Sequence, residues 1–176
     1  MKWLVLSFTL PKDPSRARVS VWRKLKRAGA VNIAQSLWVL PLSDKHIATF
    51  DEISEEIRAS AGEAYAMHAS FIDNTRDEEI KRAFAKARKD EIEDLLEECE
   101  DFCKEISGKM KKDKLKLSKV KGFEKDLKKL RELAIAIEAR TFFEVPLQRE
   151  VAHALARCEE KLARYTEMAL AKDGDG

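Results

Sequence analysis

Five cations within one short stretch, Arg16, Arg18, Arg23, Lys24 and Arg27, are the residues best placed to do chemistry. With Lys12 and Lys26 they outnumber the single acid there, Asp13. A basic helix face neutralises nucleic-acid phosphates by releasing their counterions. A tetrahedral dianion instead wants guanidinium forks and the free amides of a helix start, and Ser15, Arg16 and Arg18 supply both kinds of donor. The same side chains could simply cap the helix, or pair with an acidic helix elsewhere in the chain. Charge clustering does not separate these readings, so nucleic-acid contact, oxyanion binding and internal pairing all stay open.

The other reactive groups are sparse. Cys99 and Cys103 stand one helical turn apart, a spacing that lets two sulfurs meet one metal ion or reduce an oxidant. The ordinary reading has Cys99 close to an apolar stripe, among the residue types most often buried. His46, His68 and His153 are remote from one another and from the cysteines in sequence, which suits surface or strand positions better than ligands. No glycine-rich phosphate loop, Cys-x-x-Cys pair or supported Ser-His-Asp order occurs. The expectation is a non-enzyme with no metal and no cofactor. Trp22 and Trp38 fall in apolar periodicity and are expected to be core anchors, not platforms for stacked bases.

The elements that must carry the cations can be read from pattern. Trp3 to Leu10 is an apolar, branched and aromatic run stopped by Pro11, which suits a strand buried on both faces. Asp13 as N-cap and Pro14 at the first helical position open a helix that Gly29 closes after Ala28. Its spacing predicts Val19, Trp22 and Leu25 inward and the arginines outward. Val31 to Ile33 and Ser36 to Leu40 read as a hairpin. A helix from Asp44 to Ala61 then turns Ile47, Phe50, Ile53 and Ile57 inward, and Glu63 to Ile72 alternates like a half-buried strand. The order βαββαβ is the ferredoxin-like arrangement.

Beyond Asn74 the chain turns to long, charge-dense helices. Ile80, Phe84, Ile92, Leu95, Leu96, Phe102 and Ile106 mark one apolar stripe, ended by Gly108. Val120, Phe123, Leu127, Leu130, Ala134 and Ile137 mark a second, and Val151, Leu155, Cys158, Leu162 and Tyr165 a third after Pro146. The fold class expected is therefore α+β, with a ferredoxin-like head over residues 1–74, a three-helix tail over 75–171 and a disordered end over 172–176. An acidic first tail helix, followed by a run of lysines from Lys109 to Lys129, predicts an antiparallel hairpin in which the opposite signs meet.

Composition bounds the class. The 176 residues are 44% hydrophobic, enough for one core or two small ones, and the net charge of +2 conceals 38% charged residues sorted into blocks of one sign. No run approaches the roughly 18 apolar residues of a membrane span, and no signal-peptide pattern opens the chain. An odd set of three cysteines fits a reducing cytoplasm.

Some of these residues also follow a known pattern. The strand end Thr9-Leu10-Pro11, the run Pro14-Ser15-Arg16-Ala17-Arg18-Val19-Ser20-Val21-Trp22-Arg23-Lys24-Leu25-Lys26-Arg27-Ala28-Gly29-Ala30, and Leu37-Trp38-Val39-Leu40-Pro41 resemble the amino-terminal domain of the chromate-resistance regulators, the ChrB family. The tail is similar as well, through Leu130-Arg131-Glu132-Leu133 and the passage Ile137 to Phe143, although Thr141 stands where that family usually has Asp before the aromatic pair. The resemblance implies a chromate-responsive transcriptional regulator, with DNA and chromate or a similar oxyanion as partners. It leaves open a homodimer or a separate carboxy-terminal partner domain, since full-length regulators of that family carry one.

An adaptor or oxyanion sensor without DNA binding is the alternative. A metal-dependent endoribonuclease is the remote one, because the front segment is also similar to a domain of the phenylacetate-type repressors, which itself resembles the small CRISPR-associated endoribonuclease of ferredoxin-like fold. That family expects Asp at the end of the first strand. Here Ser7, Phe8, Thr9 and Leu10 occupy the region, which disfavours metal-dependent phosphodiester hydrolysis.

Overall fold

The computed structural model describes residues 1–12 and 15–174. The elements in order are β1 (Trp3–Thr9), α1 (Ser15–Ala28), β2 (Val31–Ala34), β3 (Leu37–Pro41), α2 (Asp44–Ala59), β4 (Glu63–Ala69), α3 (Asn74–Lys111), α4 (Leu117–Glu138) and α5 (Gln148–Gly174). The chain forms two compact units: residues 1–87 with 140–143, and residues 88–139 with 144–176.

The first unit is built on a four-stranded antiparallel sheet of order β2-β3-β1-β4. Trp3, Leu4, Val5 and Leu6 are all buried, so β1 is covered on both faces, as its unbroken apolar run requires. β4 lies at one edge, paired to β1 from Trp3↔Ala69 to Thr9↔Glu63. The expectation of a half-buried strand from Glu63 to Ile72 is corrected here. The strand ends at Ala69, and of its residues only Ala64 is buried, while Tyr65 and Met67 are exposed, because an edge strand has a neighbour on one side only. The α2 helix starts on Ser43, whose hydroxyl accepts from the His46 amide at 3.2 Å, and buries Phe50, Ile53 and Ile57 as its spacing dictates.

Composition shifts at residue 74, but the compact units divide elsewhere, between Ala87 and Arg88. Ile80 and Phe84, read as the start of the tail's stripe, belong to the core of the head. There Phe84 stacks on Trp3, with centroids 5.9 Å apart and planes 6° from parallel. Phe142 and Phe143 join them from far along the chain: Phe142 lies 5.7 Å from Phe84, and Phe143 lies 5.5 Å from Phe84 and 6.1 Å from Trp3. Apolar area of this size outweighs sequence distance, so α3 begins in the head and the loop after α4 completes its core. Asp77 anchors this corner, accepting from the Trp3 indole N–H at 2.6 Å and from the Met1 amino group at 2.5 Å.

In the second unit Ile92, Leu95, Cys99, Phe102 and Ile106 of α3 pack with Phe123, Leu127, Leu130 and Ile137 of α4 and with Ala154, Cys158, Leu162, Tyr165 and Ala169 of α5. The three apolar stripes are thus largely those expected. Phe123 meets Phe102 and Tyr165 edge to face, and the Tyr165 hydroxyl accepts from the Lys116 amide at 3.1 Å. Two expectations change. Helix α3 passes through Gly108 to Lys111, since nothing at that position demands a left-handed residue. The lysines also pair locally: Lys104 with Glu100 and Asp101, Lys109 with Glu105, Lys128 with Glu132 and Lys129 with Asp126. A flexible lysine reaches a carboxylate one turn away on its own helix at little entropic cost. The expected disordered end over 172–176 is corrected as far as Gly174, where α5 still runs. Lys172 donates to the Asp113 carboxylate at 2.6 Å and to its backbone carbonyl at 2.9 Å. Residues 175–176 lie outside the described residues.

Candidate phosphate-binding face of helix α1

Helix α1 carries all five sequence-selected cations. The capping roles expected of Asp13 and Pro14 fall outside the described residues. At its other end Gly29 takes φ +83°, and a Cβ there would stand 2.7 Å from the Cβ of Arg140, so the stop signal is required twice, by backbone and by space.

The helix turns differently from the apolar spacing expected of it. Val21 and Leu25 are fully buried, whereas Val19 is 44% and Trp22 is 52% exposed. The earlier assignment of Val19 and Trp22 to the core is therefore overturned, while Trp38 is buried as expected. Two apolar registers were available on α1, and the one containing Val21, with half-buried Ala17 and Ala28 beside it, faces the core. Small residues allow closer approach of the helix than Trp22 would.

The consequence for the cations is a sorting into two groups. Lys24, on the half-buried flank, reaches Glu52 and Glu56 of α2, each at 2.8 Å, and its ammonium is held above its ordinary pKa, first by the bond to Glu52 and then by that to Glu56. Glu56 is correspondingly held below the usual carboxylate range, chiefly by Lys24 and next by Ser20. Arg18 folds back on the loop after β1, donating to the carbonyls of Pro11 and Lys12. These two satisfy the internal-pairing reading. Arg16, Arg23 and Arg27 are exposed, and among the described residues none of them has an ion pair or hydrogen bond. They share the outer face with Val19, Trp22 and Lys26, whose ammonium lies 5.9 Å from the centre of the Trp22 ring.

The structure draws together other groups the sequence kept apart. His46, expected at a surface or strand position, is buried on α2, its Nδ1 2.6 Å from the Pro41 carbonyl and its ring edge-on to Phe142 at 4.9 Å. His68 and His153 are exposed, as expected. Cys158 joins Cys103 across the tail core, with sulfurs 3.6 Å apart, and its thiol also donates to the Cys99 carbonyl at 3.4 Å. No spacing rule could have found this, because the contact spans 55 residues. Among the described residues no group of three or more His, Cys, Asp or Glu side chains is placed to hold a metal ion, and no helix is long and apolar enough to cross a membrane.

A four-stranded antiparallel sheet with a helix whose outer face sets arginines around an exposed tryptophan, followed by a charged helical unit, defines a protein of mixed α and β class. The chain belongs to the family described as Protein ChrB, N-terminal, which matches residues 18–175. Membership links it to chromate resistance. Comparison with curated proteins and with solved structures returned no match.

Proposed function

We propose that this chain is the DNA-binding module of a chromate-responsive transcriptional regulator, non-catalytic and cytoplasmic, with the outer face of α1 as its contact surface. The observation that carries this reading is the sorting of cations on one helix. Arg18 and Lys24 are engaged internally, while Arg16, Arg23 and Arg27 present guanidinium groups to solvent around Val19 and Trp22. A protein that needed these charges only for solubility would gain nothing from exposing a tryptophan among them. Phosphates accept bidentate bonds from guanidinium, and an indole beside them can lie against sugar or base. The head is ferredoxin-like in this reading, supported by its βαββαβ order and by a sheet that runs β4-β1-β3-β2 from the other edge, so that one strand parts each crossover pair.

Chromate enters as a tetrahedral dianion that competes with phosphate for the same guanidinium donors. A partner protein with an acidic surface is the second reading, favoured by the apolar exposure of Val19 and Trp22. The remote nuclease reading has no support from β1, where Ser7, Phe8 and Thr9 close the strand without a carboxylate.

The test is fluorescence anisotropy of the purified chain with labelled DNA from upstream of its own gene and a scrambled duplex, over a salt series, with chromate or sulfate added. Preferential, salt-sensitive binding released by chromate more than by sulfate supports the regulator. Failure to bind either duplex at low salt overturns it and leaves the acidic partner.

A further inference from the structure

We propose that Cys103 and Cys158 are a thiol oxidation site, joined by a disulfide when the tail meets a peroxide. The inference does not depend on the reading of α1. All three cysteines of the chain converge in one place: Cys99 and Cys103 from α3 and Cys158 from α5. Convergence of three thiols exceeds what packing alone needs, since alanine or leucine fills such a core without polar atoms.

The roles differ by position. Cys103 is half-buried and so meets solvent, while Cys99 and Cys158 are buried. Cys158 stands between the other two, its sulfur 3.6 Å from that of Cys103 and its thiol donating to the Cys99 carbonyl. A disulfide needs the two sulfurs at about 2.05 Å, so the pair must close by roughly 1.5 Å. Burial and the bonds to its two neighbours hold the Cys158 proton on, the bond to Cys99 being the largest effect, which makes it a poor first nucleophile. Cys103 is thus the sulfur that reacts first and Cys158 the one that resolves.

The chemistry balances in two steps. The Cys103 thiolate attacks one oxygen of hydrogen peroxide, an S–O bond forms as the O–O bond breaks, and the departing hydroxide takes a proton to leave as water. The Cys158 sulfur then attacks the sulfenic sulfur of Cys103. The S–S bond forms, the S–O bond breaks, and the hydroxide released carries off the Cys158 thiol proton as a second water. The two sulfurs together lose the two electrons that the peroxide oxygens gain, and a dithiol reductant reverses the outcome.

The experiment treats the full chain with a small excess of hydrogen peroxide, then counts free thiols after denaturation and maps linked peptides by mass spectrometry. The expected result is a fall from three titratable thiols to one, a loss of 2 Da, and a peptide pair joining Cys103 to Cys158, all restored by dithiothreitol. Three surviving thiols, a link through Cys99 or a link between two chains would each overturn the assignment. The Cys158→Ser variant should instead trap Cys103 as a dimedone-reactive sulfenic acid, while Cys99→Ser should still form the link. The linkage map on the unsubstituted chain decides the matter even where a variant fails to fold.

Discussion

If the outer face of α1 holds nucleic acid, its arginines and Lys24 must differ in how they answer to salt. Each phosphate neutralised on a duplex adds about 0.9 to the steepness with which log affinity falls against log salt. Arg16, Arg23 and Arg27 are exposed and without an ion pair among the described residues, so each is able to displace counterions from DNA. Lys24 already holds Glu52 and Glu56 at 2.8 Å, so no bound counterion of the DNA is released on its account. The triple substitution Arg16→Ala, Arg23→Ala, Arg27→Ala should therefore flatten the slope by about 2.7. Between 50 and 200 mM salt, the unsubstituted chain should lose about 40-fold more affinity than the triple variant does. Lys24→Ala should leave the slope within about 0.3 of its original value, since that charge contributes no phosphate contact. The assay is anisotropy at five or more salt concentrations with one duplex. A slope unchanged in the triple variant, or a Lys24→Ala variant that loses as much as Arg23→Ala, would refute the sorting of cations on this helix.

Three further outcomes follow from the packing. Phe84→Ala removes the ring that meets Trp3, Phe142 and Phe143 at once, and should cost about 3–5 kcal/mol in urea unfolding of the full chain; a loss below about 1 kcal/mol would mean the aromatic cluster is not the core of the head. Gly29→Ala places a β-carbon at φ +83° and 2.7 Å from Arg140 Cβ, so it should cost about 1–2 kcal/mol in backbone strain alone, with the overlap adding to that; a urea midpoint equal to the parent's would contradict the close approach. Asp77 is held below the usual carboxylate range by the Met1 amino group first and the Trp3 indole second, so its contribution to stability is complete above about pH 5 and declines as pH falls through the lowered native value. Asp77→Asn should flatten the drop in urea midpoint between pH 5 and pH 2.5, and an undiminished drop would show that the acid sensitivity lies elsewhere.

Much of this molecule is legible in the order of its residues. β1 shows itself because a strand covered on both faces needs an unbroken apolar run, and Trp3 to Leu6 supply it. Helix α2 follows from the spacing of Ile47, Phe50, Ile53 and Ile57, and the three tail helices from stripes at helical period. The five cations of α1 are visible as a charge cluster, and so is the family likeness through the run from Arg18 onward. The tertiary structure alone decided which of two apolar registers α1 buries, and so put Trp22 among the arginines and took Lys24 and Arg18 out of play. It also set Phe142 and Phe143 beside Trp3, and Cys158 beside Cys103. Periodicity reports which side of an element is apolar, but two faces of similar hydrophobicity are chosen by how closely the backbones can approach. Contacts between residues 55 or more positions apart depend on where whole elements dock, and no local pattern encodes that.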